Sequence, residues 1–223
     1  MREQLERVRE RIIQACARSR RDPAAVRLVA ATKTVPSETL RLLTQLHCVD
    51  FGENRVQEAL PKLEALSALP IRWHFIGRLQ RNKAKFIPGR FEWIHSVDSA
   101  PLAIDLSRRS VLAEKEIHGL VEVNLSAQPQ KGGVLPEALP VLLDRVRGLP
   151  CLQIEGLMTL APLGAGEQSL RKIFSAAREL AARHELRELS MGMSDDFEIA
   201  IEEGATMVRI GRAIFGERPA RPV

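Results

Sequence analysis

The sequence contains no tyrosine, so no phenol of this chain can serve as acid, base or phosphate ligand. Cysteine is scarce: Cys16, Cys48 and Cys151 form no C-x-x-C pair and are odd in number. That pattern argues against a disulfide framework or a zinc ribbon and suits a reduced intracellular protein, which we read as cytoplasmic. No apolar run approaches the roughly 18 residues of a membrane span. The first 21 residues, MREQLERVRERIIQACARSRR, lack the apolar stretch of a signal peptide, and Glu3, Glu6 and Glu10 argue against a transit peptide. Also missing are G-x-S-x-G, a Walker A loop, H-x-x-x-H, H-x-E and any paired-carboxylate arrangement. No metal site is expected.

Charge of one sign is not concentrated either. Against 28 acidic residues stand 33 basic ones, a net charge of +5 spread along the chain, whereas a nucleic-acid binder gathers its charge in a patch or stripe. The densest basic stretch, Arg78 to Lys85, has only Phe75 and Phe86 nearby as stacking platforms. It reads as a solvated helix face, and no nucleic-acid partner is expected.

The chain does have the means to form one sizeable core. Its 223 residues are 45% hydrophobic and 27% charged, near the globular average. Eight β-type runs recur: Arg27 to Thr32, Cys48 to Glu53, Ile71 to Gly77, Phe91 to Val97, Gly119 to Leu125, Leu152 to Leu160, Glu188 to Met193 and Thr206 to Phe215. Most are continuously apolar, as in a sheet covered on both faces. Helical patterns lie between them, clearest from Gln168 to His184, and Leu5, Val8, Ile12 and Cys16 mark one face of an N-terminal helix. Pro36, Pro101 and Pro136 sit at helix starts, Asp195 and Glu198 have capping-box spacing, and Leu79 to Ile87 is short for a crossover helix. Pro140 implies that its helix is kinked or starts there. These alternations predict a single (β/α)8 TIM barrel with an extra N-terminal helix, one domain over residues 1–223. A doubly wound open sheet is the runner-up, lowered by the absence of G-x-G-x-x-G after the first strand.

In such a barrel the chemistry belongs at the C-terminal strand ends. The first strand runs into Lys33, which is either an ordinary snorkelling lysine or an amine prepared for Schiff-base chemistry at the rim of an apolar cavity. Met191 to Asp196 and Arg209 to Gly216 follow the last two strands, where barrels often hold phosphate; Ser194 would add a hydroxyl donor. Plain turn and cap chemistry is the competing reading. His74 and His95 read best as satisfied structural histidines.

Six segments carry a family resemblance: Leu28 to Lys33, Phe51 to Glu58, Trp73 to Lys83, Gly156 to Thr159, Leu189 to Asp195, and Val208 to Gly216. In order and content they resemble the pyridoxal phosphate homeostasis proteins, over nearly the whole chain. The resemblance implies a barrel of the alanine racemase N-terminal type carrying pyridoxal 5′-phosphate. It implies that Lys33 forms the Schiff base, that Ser194 and the backbone at Gly211 and Arg212 hold the phosphate, and that Arg209 faces the pyridine nitrogen. Asn54 and Met158 are carried over as lining the cavity, and Met193 as a further cofactor-binding residue. The Arg212 side chain either strengthens the phosphate grip or points into solvent.

The implied role is a monomeric protein that buffers or delivers the cofactor to pyridoxal phosphate-dependent apoenzymes, with no catalytic residues. The residues agree with a holder more than a catalyst. An arginine never accepts a proton, so a ring nitrogen facing Arg209 stays unprotonated and the ring is a weaker electron sink. A lysine–tyrosine racemase is excluded by composition, and the chain is short for a racemase's second domain. The alternatives are an amino-acid racemase or decarboxylase with an unconventional base, and a barrel that takes another phosphorylated ligand without a Schiff base.

Overall fold

The computed structural model describes residues 1–126 and 132–216. Eight strands, β1 (Arg27–Ala31), β2 (Asp50–Glu53), β3 (Arg72–Phe75), β4 (Trp93–Val97), β5 (Ile117–Glu122), β6 (Leu152–Met158), β7 (Glu188–Ser190) and β8 (Met207–Ile210), pair in parallel in chain order. β8 returns to β1, with Val29 opposite Arg209, and closes the barrel. That closure removes the open-sheet alternative.

The helices α1 (Arg2–Arg18), α2 (Ser37–Gln45), α3 (Val56–Ala65), α4 (Ala100–Leu112), α5 (Leu139–Val146), α6 (Glu167–Arg183), α7 (Phe197–Glu202) and α8 (Arg212–Phe215) complete the fold. Strand alternation divides the side chains. Phe51, Phe75 and Ile94 join the main core under the helices, while Val29, Trp93, Leu120, Met158 and Met207 form a separate apolar cluster. α1 buries Leu5, Val8, Ile12, Ala15 and Cys16 and lies against α7 and α8. Arg11 pairs with Glu198 at 2.7 Å and Arg18 with Glu202 at 2.5 Å, tying the N-terminal helix to the last turns of the barrel. Among the described residues, no helix is long and apolar enough to cross a membrane.

Three local expectations are corrected. The run Thr206 to Phe215 is not one strand: β8 stops at Ile210, and Gly211 turns the chain into α8. An added Cβ at Gly211 would lie 3.3 Å from the Ala31 carbonyl oxygen, so the turn packs directly on β1. The Asp195–Glu198 capping box does not form. Asp196 is the residue before α7, its carboxylate accepts from the Met193 N–H at 2.5 Å, and Glu198 is taken by Arg11. The basic stretch folds as a 3-10 helix over Arg81–Phe86 rather than an α-helical face. Pro140 starts its helix rather than kinking it: a 3-10 turn at Pro136–Ala138 leads into α5 with Pro140 in its first turn.

Candidate functional site

The end of β1 is braced from outside the barrel. The Thr32 hydroxyl donates to Glu53 Oε1 at 2.6 Å, and Lys62 of α3 reaches the same oxygen at 2.7 Å and the Thr32 carbonyl at 2.8 Å. Glu53 is fully buried and its Oε2 has no hydrogen-bond partner. Thr32 therefore faces the helix layer, and its neighbour Lys33 is half-buried in the turn that follows β1.

At the end of β2, Asn54 Oδ1 is buried without a partner. Gly77 after β3 packs so closely here that an added Cβ would lie 2.2 Å from the Asn54 carbonyl oxygen. Beside Asn54 opens a cavity of about 960 Å³ over the ends of β2, β3 and β4, lined also by Gln57, Arg78, Arg81, Lys83 and Asp98. Lys33 is not among its lining residues.

The loops after β7 and β8 are joined to each other. Ser194 Oγ accepts the Ala213 N–H at 3.2 Å, which leaves its own hydroxyl hydrogen to donate elsewhere. Gly192 has φ +92°, and a Cβ there would strike Ala200 and Phe197. Met193 is half-buried beside Asp196. The exposed side chain of Arg212 is paired with Asp195, so only its backbone is directed by the β8 turn.

Arg209 lies in the lumen, buried, donating to Ser190 Oγ at 2.5 Å and to the Thr159 carbonyl at 3.0 Å. Burial lowers its pKa to about 10, an effect countered by Asp196 and Glu122, so it remains a cation at neutral pH. Burial raises Glu122, helped by Asp98 and opposed by Arg209 and Arg78. Met158 is buried beside Thr159 in the same cluster as Val29.

The structure thus gathers Lys33, Met158, Ser194, Arg209 and Gly211 on the ends of β1, β6, β7 and β8, with Asn54 on the adjoining β2. Arg212 contributes a turn rather than a guanidinium. Sequence reasoning missed Ser190, the Glu53–Lys62 pair and the Asp50 end of the lumen. A signal existed for the last: Asp50, Arg72 and His74 are polar residues on strand positions of one parity in otherwise apolar runs.

Asp50 is the polar floor of this lumen. Burial would raise its carboxyl, but hydrogen bonds from His74 and Arg72 outweigh that and hold it at about 2. A group depressed in the folded state stabilises above its unfolded value and loses that contribution as pH falls through the folded one. We expect Asp50→Asn to be less stable by roughly 2 kcal/mol at neutral pH. The gap to the native chain should close as the pH drops from about 4 toward 2. Urea melts across that window check this; a gap independent of pH would refute it.

Residues 4–219 match the family described as alanine racemase, N-terminal domain. The pyridoxal phosphate homeostasis protein of Aquifex aeolicus is 46% identical over 224 residues, covering 97% of each chain. That of Pseudomonas aeruginosa is 43% identical over 218 residues, covering 97% of this chain and 95% of the relative. The solved structure of PipY from Synechococcus elongatus PCC7942 with PLP bound superposes with a TM-score of 0.83 at 39% identity, over 94% of this chain and 100% of that one. Alanine racemase from Clostridium difficile 630 shares the fold alone, with a TM-score of 0.73 at 12% identity over 88% of this chain and 53% of that one. With a barrel of this topology, a lysine at the end of its first strand and matches along almost the full length, the chain belongs to the pyridoxal phosphate homeostasis proteins, within the alanine racemase N-terminal-domain family.

Proposed function

We propose that this chain is a single-domain, monomeric, cytoplasmic holder of pyridoxal 5′-phosphate that keeps the cofactor as a Schiff base on Lys33 and releases it to apoenzymes without turning over a substrate. The observation that carries the reading is Arg209: a buried cation with only hydrogen-bond donors, fixed by Ser190 and Thr159 at the lumen end beside the first strand.

The residues present fit the group. Asn54 Oδ1 is a buried acceptor lacking a donor. Gly211 keeps the chain close to β1 where a side chain would crowd Ala31. The Ser194 hydroxyl accepts the Ala213 N–H on one lone pair and keeps its hydrogen to give an anion. PipY, 39% identical to this chain, has been solved with PLP bound, which supports cofactor binding by this barrel.

When bound, the cofactor supplies an electrophilic aldehyde and an electron-withdrawing ring. Lys33 would supply the amine, Ser194 and the backbone of Gly211 and Arg212 would hold the phosphate, and Met158, Met193 and Asn54 would line the cavity. Arg209 would donate to the ring nitrogen and withhold a proton from it, which keeps the electron sink weak. The absence of tyrosine removes the usual second base of a racemase.

The test is titration of the purified chain with pyridoxal 5′-phosphate, followed by incubation with a panel of amino acids. A stoichiometric visible band without turnover is expected. Racemisation or decarboxylation would overturn the non-catalytic role, and no band would overturn cofactor binding on a lysine.

A further inference from the structure

A continuous line of polar side chains leaves Arg209 and runs through the lumen to the N-terminal end of the barrel. Arg209 approaches Ser190 Oγ at 2.5 Å, Ser190 Oγ approaches His95 Nδ1 at 2.8 Å, His95 Nε2 approaches His74 Nδ1 at 3.0 Å, and His74 Nε2 approaches Asp50 Oδ1 at 2.9 Å. Arg72, at the first position of β3, closes the line with a fork onto both Asp50 oxygens at 2.8 and 2.6 Å. Ser190, His95 and His74 are completely buried.

The direction of the line is set from the Asp50 end. An ionised carboxylate only accepts, so His74 donates to it from Nε2. Burial pushes both histidines toward the neutral form, and a neutral imidazole carries one hydrogen. His74 Nδ1 therefore accepts from His95 Nε2, and His95 Nδ1 accepts the Ser190 O–H. Arginine only donates, so Ser190 Oγ accepts from Arg209 on a lone pair, which is consistent with the same direction.

We propose that Ser190, His95 and His74 form a one-way hydrogen-bond relay through which the Asp50–Arg72 pair at one end of the barrel orients the Arg209 guanidinium at the other. Each donated hydrogen polarises the next acceptor, so the negative end at Asp50 makes Ser190 Oγ a stronger acceptor for Arg209. The three are positioning residues, since they act through Arg209 and not on the ligand. The consequence for the cofactor rests on the reading that Arg209 meets its ring nitrogen.

Two measurements test the relay. The first is nitrogen-15 NMR of the imidazoles in the cofactor-free chain near neutral pH. Both His74 and His95 should be neutral with hydrogen on Nε2; an Nδ1–H tautomer or a charged ring at either overturns the relay whatever the chain binds. The second is titration of pyridoxal 5′-phosphate into Asp50→Asn, Ser190→Ala and the double variant, read as affinity and absorption maximum. Asp50→Asn should weaken binding by about tenfold, the scale of one hydrogen bond to a charged group, and shift the band. It should add almost nothing once Ser190→Ala has cut the line, whereas additive effects would overturn the coupling. Should Asp50→Asn fail to fold, Arg72→Met at the half-exposed end carries the same cycle. If the native chain takes up no pyridoxal 5′-phosphate, the cofactor reading fails, and the tautomers alone decide the relay.

Discussion

Lys33→Ala is expected to abolish the reducible cofactor adduct. Borohydride treatment of the native chain loaded with pyridoxal 5′-phosphate should leave the label on the peptide containing Lys33, and the variant should carry none. The nearest lysines in the sequence cannot easily substitute. Lys62 lies on the helix side of the sheet, its ammonium held by Glu53 at 2.7 Å and by the Thr32 carbonyl at 2.8 Å. Lys83 lines the neighbouring cavity at the ends of β2 to β4, away from the strands that carry Ser194, Arg209 and Gly211. Weak, non-covalent uptake should persist in the variant, because the phosphate contacts assigned to Ser194, Gly211 and Arg212 do not involve Lys33. An adduct of undiminished yield on Lys62 or Lys83 would sink the assignment.

The largest loss of stability is expected from Lys62→Met. Glu53 is inaccessible to solvent, one of its oxygens already lacks a partner, and Lys62 pairs with the other at 2.7 Å. Removing one member of a buried ion pair leaves an uncompensated charge and costs about 3–5 kcal/mol. Urea denaturation should show this as a lower midpoint with an unchanged slope. Adding Glu53→Gln to the same chain removes the stranded charge and should recover much of the loss; no recovery would mean that the ion pair is not its source. The same lysine holds the Thr32 carbonyl, one residue before Lys33, so cofactor uptake should weaken along with stability.

Much of this site was legible without coordinates because its parts are local. A strand that ends in Lys33, the Met191 to Asp196 loop and the Arg209 to Gly216 turn are each contiguous, and barrel geometry alone assigns all three to the same end. The misreadings are local conflicts resolved by distant partners. Glu198 was available to cap α7 until Arg11 of α1 claimed it. Thr206 to Phe215 is apolar enough for one long strand, but the chain turns at Gly211, where it packs against Ala31. Arg212, which the sequence left either on the phosphate or in solvent, is exposed and paired with Asp195.

Taken by itself, the sequence determined the eight alternations, the buried stripe of the N-terminal helix, the lysine at the first strand end and the exclusion of any phenolic base. These follow from residue type and spacing along one segment. Only the tertiary structure decided that β8 closes on β1, that Glu53 is paired from α3, and that His95 meets His74 and Ser190 across 21 and 95 residues of chain. A hydrogen bond depends on the distance and direction between two atoms. Residues on different strands acquire both only when the barrel closes.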